Sequence, residues 1–159
     1  MPWLTKKSKE RGQAAIEFIL IVGAMMVIIM YAFPFITRHA ELNKGIAAAR
    51  DGAQFGATMR GMGFTSTEIT NPPGVIKIDR IEYEITTNAT GVDSVEIWIY
   101  VRGPPELKTN SVWGTIGKEA QRFIGKAISG EYDDAIIART GEYYKFAPVR
   151  CNSDTWIET

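Results

Sequence analysis

The feature that most constrains this chain is an apolar stretch near its N-terminus, Ala14 to Phe35, which reads AAIEFILIVGAMMVIIMYAFPF. It holds 22 residues and a single charge, Glu17. As an α-helix it is ~33 Å long at ~1.5 Å per residue, which matches the ~30 Å hydrocarbon core of a bilayer. A buried helix in a soluble core is the alternative, but a domain of this size rarely surrounds a helix that is apolar on every side. The stretch therefore predicts a membrane-spanning helix over residues 13–35.

A basic segment precedes the span and predicts its orientation. Residues 1–12 carry Lys6, Lys7, Lys9 and Arg11 against Glu10, a net charge of +3. Basic residues beside a span favour the cytoplasmic side, so we expect the rest of the chain outside the cell. A secretory signal cleaved at its far end fits poorly, because such signals have a core of roughly 7–15 residues followed by small residues.

The near end of the span contains an unusual carboxylate, Glu17. A charge in the apolar core costs roughly 2.5–3.5 kcal/mol on insertion scales unless it has a partner. Cleavage between Gly12 and Gln13 would create an α-amino group at Gln13, within reach of Glu17 on the same or a neighbouring subunit. Alternatively, Glu17 lies in the headgroup zone of an uncut anchor.

These residues resemble those of archaeal type IV pilins with a class III signal peptide. The prepilins of that family have a short basic leader, Gly before the scissile bond, Gln as the first mature residue, Glu as the fifth and then a long apolar helix. The resemblance covers residues 6 to 60. It implies that a prepilin peptidase cuts between Gly12 and Gln13, that residues 1–12 are a leader, and that Glu17 serves assembly.

The resemblance also implies the partners and the location of the chain. The prepilin would be stored in membrane lipid with its N-terminus in the cytoplasm, and a pilus assembly ATPase and a membrane platform protein would polymerise it. The product would be a helical homopolymer, an extracellular surface filament whose default role is adhesion. No cofactor is implied.

The helix is expected to continue beyond the span to residue 60, because Ile36 to Arg60 is rich in alanine and has no proline. Small residues recur every four positions along this part. One row is Gly45, Ala49 and Ala53, and an adjacent row is Gly52 and Gly56. Such rows allow helices to approach closely. We expect two uses for them, contact between subunits in the filament and packing against the chain's own head.

Residues 61–159 predict an α+β head outside the cell. Gly61-Met62-Gly63 ends the helix and Asn71 to Gly74 forms a turn. Alternating apolar residues predict an antiparallel ribbon over 75–101, with a bulge where the alternation slips at Asp79-Arg80. Helical spacing over 111–129 predicts an amphipathic helix capped by Asn110 or Ser111. A hairpin is expected from Ala135–Ala138 and Tyr143–Val149 around a Thr140-Gly141 turn.

Composition removes several classes of function. The 18 basic and 18 acidic residues give no basic patch for nucleic acid. One cysteine, Cys151, and one histidine, His39, cannot form a zinc site. No catalytic motif is present, so we expect a protein that is not an enzyme. The sequon Asn88-Ala89-Thr90, in a turn expected outside the cell, predicts glycosylation of Asn88.

Two alternatives to a major pilin remain open at the level of sequence. The first is an uncut, singly anchored surface protein whose extracellular head binds a ligand. The second is a minor pilin that primes or tips the fibre. The N-terminal residue of the mature protein separates the first from a pilin, and the abundance of the subunit in purified filaments separates the second.

Overall fold

The computed structural model describes residues 3–64, 74–87 and 92–159, with side chains from residue 13 onward in those ranges. The chain divides into two compact units, Met1–His39 and Ala40–Thr159. The fold is α+β, as the sequence predicts: a long N-terminal helix is followed by a sheet and a second helix. The second unit, called the head below, contains the last part of the long helix as well as residues 61–159.

The long helix, α1, spans Trp3–Gly61 and contains the predicted helix over 13–60. It ends in a hydrogen-bonded cap. Gly63 has a φ of 83°, the left-handed conformation that glycine adopts readily. The N–H of Gly63 donates to the Arg60 carbonyl and that of Phe64 to the Met59 carbonyl, each at 3.0 Å. These two bonds form a Schellman cap, which confirms that the glycine pair ends the helix.

The predicted antiparallel ribbon is present. Strand β1 spans Lys77–Thr87 and pairs antiparallel with β2, which spans Asp93–Gly103. The register shifts between Ile78 and Arg80, so the predicted bulge is confirmed where the alternation slips. Much of the turn between the strands, residues 88–91, lies outside the described residues, as does most of the turn predicted at 71–74.

The sheet is mixed, which the sequence did not indicate. Strands β3 (Arg139–Thr140) and β4 (Tyr144–Phe146) form an antiparallel hairpin, and β4 runs parallel to the start of β2. A fifth strand, β5 (Trp156–Glu158), runs parallel to the end of β2. Parallel pairing needs a long crossover, and the helix between β2 and β4 provides it. The hairpin is shorter than predicted, because residues 135–138 form no strand.

The second helix, α2, spans Asn110–Ser129, close to the predicted 111–129. Its cap is Thr109 rather than Asn110 or Ser111: the Thr109 hydroxyl accepts the Val112 N–H at 3.4 Å. Sequence reasoning misplaced this cap because all three residues are polar and adjacent, and each can cap a helix.

The core of the head lies between β2, α2 and the last part of α1. Every second residue of β2 is fully buried, as are apolar residues spaced four apart on α2. Positions on α1 spaced four or seven apart complete it. These core residues are Val95, Ile97, Ile99 and Val101 on β2, Val112, Ile116, Ala120 and Ile124 on α2, and Leu42, Ala49, Ala53 and Ala57 on α1.

Candidate membrane-spanning and assembly helix

The apolar stretch of α1 is exposed on all sides. Its large apolar side chains between Ile16 and Ile36 have exposed fractions from 37% for Val22 to 83% for Tyr31. Burying each such side chain is worth about 1.5–3 kcal/mol, so water is an unfavourable surrounding for this surface. Within the described residues, this is the one helix long and apolar enough to cross a membrane. The architecture is compatible with a membrane-anchored surface protein, and the helix suggests the anchor.

The structure places Gln13 and Glu17 on one face of α1. The side-chain Nε2 of Gln13 donates to Oε1 of Glu17 at 3.1 Å, and both side chains are exposed. A group four residues before Glu17 is therefore within reach of its carboxylate on the same chain. The partner in this contact is the neutral side-chain amide of Gln13.

Gly12 and Gln13 both lie within α1. Glycine in a helix interior is roughly 1 kcal/mol less favourable than alanine, so the helix is locally weaker at the Gly12-Gln13 bond.

Pro34 lies inside α1 and deprives one turn of a backbone donor. The Thr37 hydroxyl donates to the carbonyl oxygens of Phe33 and Pro34 at 3.1 and 3.0 Å. This is the contact with the preceding turn that a threonine often makes within a helix. The carbonyl that Pro34 leaves without its donor is that of Met30, four residues before it. The ring of His39, one turn after Phe35, packs edge-on against the Phe35 ring, with centroids 4.3 Å apart.

The two rows of small residues are buried inside the head. A Cβ on Gly52 would lie 2.5 Å from the Glu119 carbonyl oxygen, and one on Gly56 would lie 2.9 Å from the Ile116 Cα. These two glycines therefore let the backbone of α2 approach α1. Gly45 lies against the Phe146 ring, and Ala49 and Ala53 are fully buried. The structure thus shows the expected use in packing within the head, and contact between subunits stays a prediction.

Arg60 joins the end of α1 to the start of α2, and sequence reasoning missed it. Its side chain is 7% exposed. Nε donates to the Thr115 hydroxyl at 2.9 Å, and Nη2 donates to the carbonyl and hydroxyl oxygens of Ser111 at 3.0 and 2.9 Å. Burial lowers the pKa of this guanidinium from its usual value. A lone arginine near a helix end gives no sequence signal for such burial.

The thiol of Cys151 and the carboxylates of Asp133 and Asp134 each contact other groups of the head. Burial raises the pKa of the Cys151 thiol to about 12, although a hydrogen bond with Thr155 opposes the shift. The thiolate is the reactive form, so the thiol is unreactive at neutral pH. Asp133 contacts Arg139 at 3.1 Å and Asp134 contacts Arg122 at 3.0 Å. Asn88, the predicted glycosylation site, lies outside the described residues.

Similarity to other proteins adds nothing to this picture. No family model, no curated protein and no solved structure matches the chain.

Proposed function

We propose that this chain is a structural subunit of an archaeal type IV-like pilus. The observation that carries the proposal is the exposed apolar helix over residues 14–36, which directly follows the Gly12-Gln13 junction and contains Glu17 as its only charge before Arg38. The apolar surface requires a surrounding other than water. Cleavage at the Gly12-Gln13 junction would create a charged group that can pair with Glu17, and this pairing favours the change from lipid to neighbouring subunits.

The apolar helix has two successive environments. Lipid solvates it in the stored precursor, and helices of neighbouring subunits replace the lipid in the filament. Lipid tails and apolar side chains solvate the helix about equally well, so packing and polar contacts decide association. The heads form the outer layer, with residues 1–12 removed by the peptidase before assembly.

Glu17 provides the polar contact. Cleavage after Gly12 converts the backbone nitrogen of Gln13 into an ammonium group, one helical turn from the carboxylate. The 3.1 Å contact between the two side chains supports this proximity. A charge pair in an apolar surrounding is favourable relative to leaving either charge alone there, where the loss is about 3–5 kcal/mol. Glu17 on one subunit and Gln13 on the same or the next subunit therefore stabilise the assembled form.

The test is the Glu17→Ala variant, with filament yield measured beside the amount of subunit in the membrane. Glu84→Ala is the matched control, because it removes an exposed carboxylate from β1 in the head. We expect Glu17→Ala to insert and to be cleaved normally, but to yield at least about tenfold less filament, while Glu84→Ala assembles like the wild type. Normal filament yield from Glu17→Ala would refute the pairing mechanism.

The alternative is an uncut surface anchor with a ligand-binding head. One observation favours it: a groove in the head runs between α1 and β1, where Arg50 and Asp51 on the helix face Asp79 and Arg80 on the strand. If the chain is a monomeric anchor, the wild type forms no filament. In that case Glu17→Ala leaves membrane insertion unchanged or makes it mildly more favourable.

A further inference from the structure

The side chain of Glu41 makes an unusual contact within the head. It projects from α1, and its carboxylate accepts three consecutive backbone N–H groups from the tip between β3 and β4. The Glu142 N–H lies 3.1 Å from Oε2, the Tyr143 N–H lies 3.2 Å from both oxygens, and the Tyr144 N–H lies 2.9 Å from Oε1. More than one hundred residues separate Glu41 from these donors.

Convergent N–H groups of this kind form a concave site for an anion. Hydrogen bonds to an ionised acceptor are roughly twice as strong as those between neutral groups. The turn is closed by the Gly141 N–H, which donates to the Tyr144 carbonyl at 2.8 Å. A Cβ on Gly141 would overlap the Glu41 carboxylate, so a side chain at this position would displace the carboxylate from its present place.

A second, apolar contact holds the base of the same hairpin. Gly45, one helical turn after Glu41, lies against the ring of Phe146. Phe146 is fully buried, and β4 pairs it with Val95 of β2. The base of the hairpin is therefore part of the core, whereas the tip is held through Glu41. Strands of two and three residues are too short to hold a tip by themselves.

We propose that Glu41 is a clasp that fastens the tip of the β3–β4 hairpin to α1 and sets how often this tip opens. Opening releases the three N–H groups, while Phe146 keeps the base in place. The clasp is a local two-state element of the head, and it does not depend on the proposed function.

Amide hydrogen exchange of the full chain in detergent tests the clasp. We expect the amides of residues 142–144 to exchange at least about tenfold faster in Glu41→Ala than in the wild type, since a hydrogen bond to a charged group is lost. Glu41→Gln, which keeps one acceptor oxygen and loses the charge, should give an intermediate rate. Glu142→Gln is the matched control at the same tip, and it should leave these rates unchanged.

The native thiol separates local opening from loss of the fold. Cys151 lies beyond the hairpin and is half-buried. If the clasp acts locally, thiol labelling of Cys151 proceeds at the same rate in Glu41→Ala and the wild type. Equal exchange of amides 142–144 in both proteins would overturn the proposal. Faster exchange throughout the head, together with faster labelling, would also overturn it, because Glu41 would then support the whole fold.

Discussion

Replacing Gly52 by alanine should destabilise the head, although the same change usually stabilises a helix. The new Cβ would lie 2.5 Å from the Glu119 carbonyl oxygen and 2.7 Å from the Ala120 Cα. Carbon atoms in favourable contact are about 3.5–4.0 Å apart. The backbones of α1 and α2 must therefore separate by roughly 1 Å, because backbone atoms cannot rotate away as a flexible side chain can.

Two opposing terms set the size of the effect. Overpacking a well-packed core costs about 1–3 kcal/mol, and alanine gains roughly 1 kcal/mol over glycine in a helix interior. Taking the middle of the first range, the net expectation for Gly52→Ala is a loss of about 1 kcal/mol in the free energy of unfolding. Gly114→Ala is the matched control: Gly114 lies on α2 with no atom within 4 Å of an added Cβ, so this change should stabilise by about 0.5–1 kcal/mol.

Urea unfolding of the full chain in detergent, followed by near-ultraviolet circular dichroism of the head, measures both variants. With a slope of about 1–3 kcal/mol per molar, Gly52→Ala should lower the midpoint by roughly 0.3–1 M and Gly114→Ala should raise it. If Gly52→Ala were as stable as Gly114→Ala, the close approach of α1 and α2 would be refuted.

Three further predictions concern processing, modification and pH. Gly12→Val should block cleavage, because a branched side chain does not fit a site that accepts glycine; migration at the mature size on electrophoresis would count against it. Any N-linked glycan should map to Asn88 by peptide mass spectrometry. An unmodified Asn88 peptide from a glycosylating host would exclude glycosylation at this site. The thiol of Cys151 ionises near 9 when unfolded and at a pKa of about 12 when folded, so its stabilising contribution is complete below pH 9 and falls by up to about 1.4 kcal/mol per pH unit above it. Cys151→Ser should therefore lose less stability than the wild type between pH 9 and 11 in parallel unfolding titrations, and equal losses would contradict the burial of the thiol.

Local patterns predicted the long elements of this fold. An unbroken apolar and alanine-rich run indicates α1, alternation indicates β1 and β2, and the slip at Asp79-Arg80 indicates the bulge. Each of these signals lies within one continuous segment, where periodicity reports the exposed and buried faces directly.

The features that the sequence did not reveal depend on partners far along the chain. Strand β5 has three residues and pairs with the distant strand β2. The contact between Glu41 and residues 142–144 likewise has no local pattern. The row containing Gly52 and Gly56 predicted a close helix approach correctly. The spacing of small residues gives the face of α1, but it does not specify whether the approaching helix belongs to the same chain or to a neighbour.

The central claim is that this chain is cut after Gly12 and polymerises into a surface filament. N-terminal mass spectrometry of filaments sheared from the cell surface tests both parts in one measurement. The account predicts that this chain is present in the filaments and that its N-terminal residue is Gln13. A chain that begins at Met1, or that is found in the membrane and absent from the filaments, would contradict it.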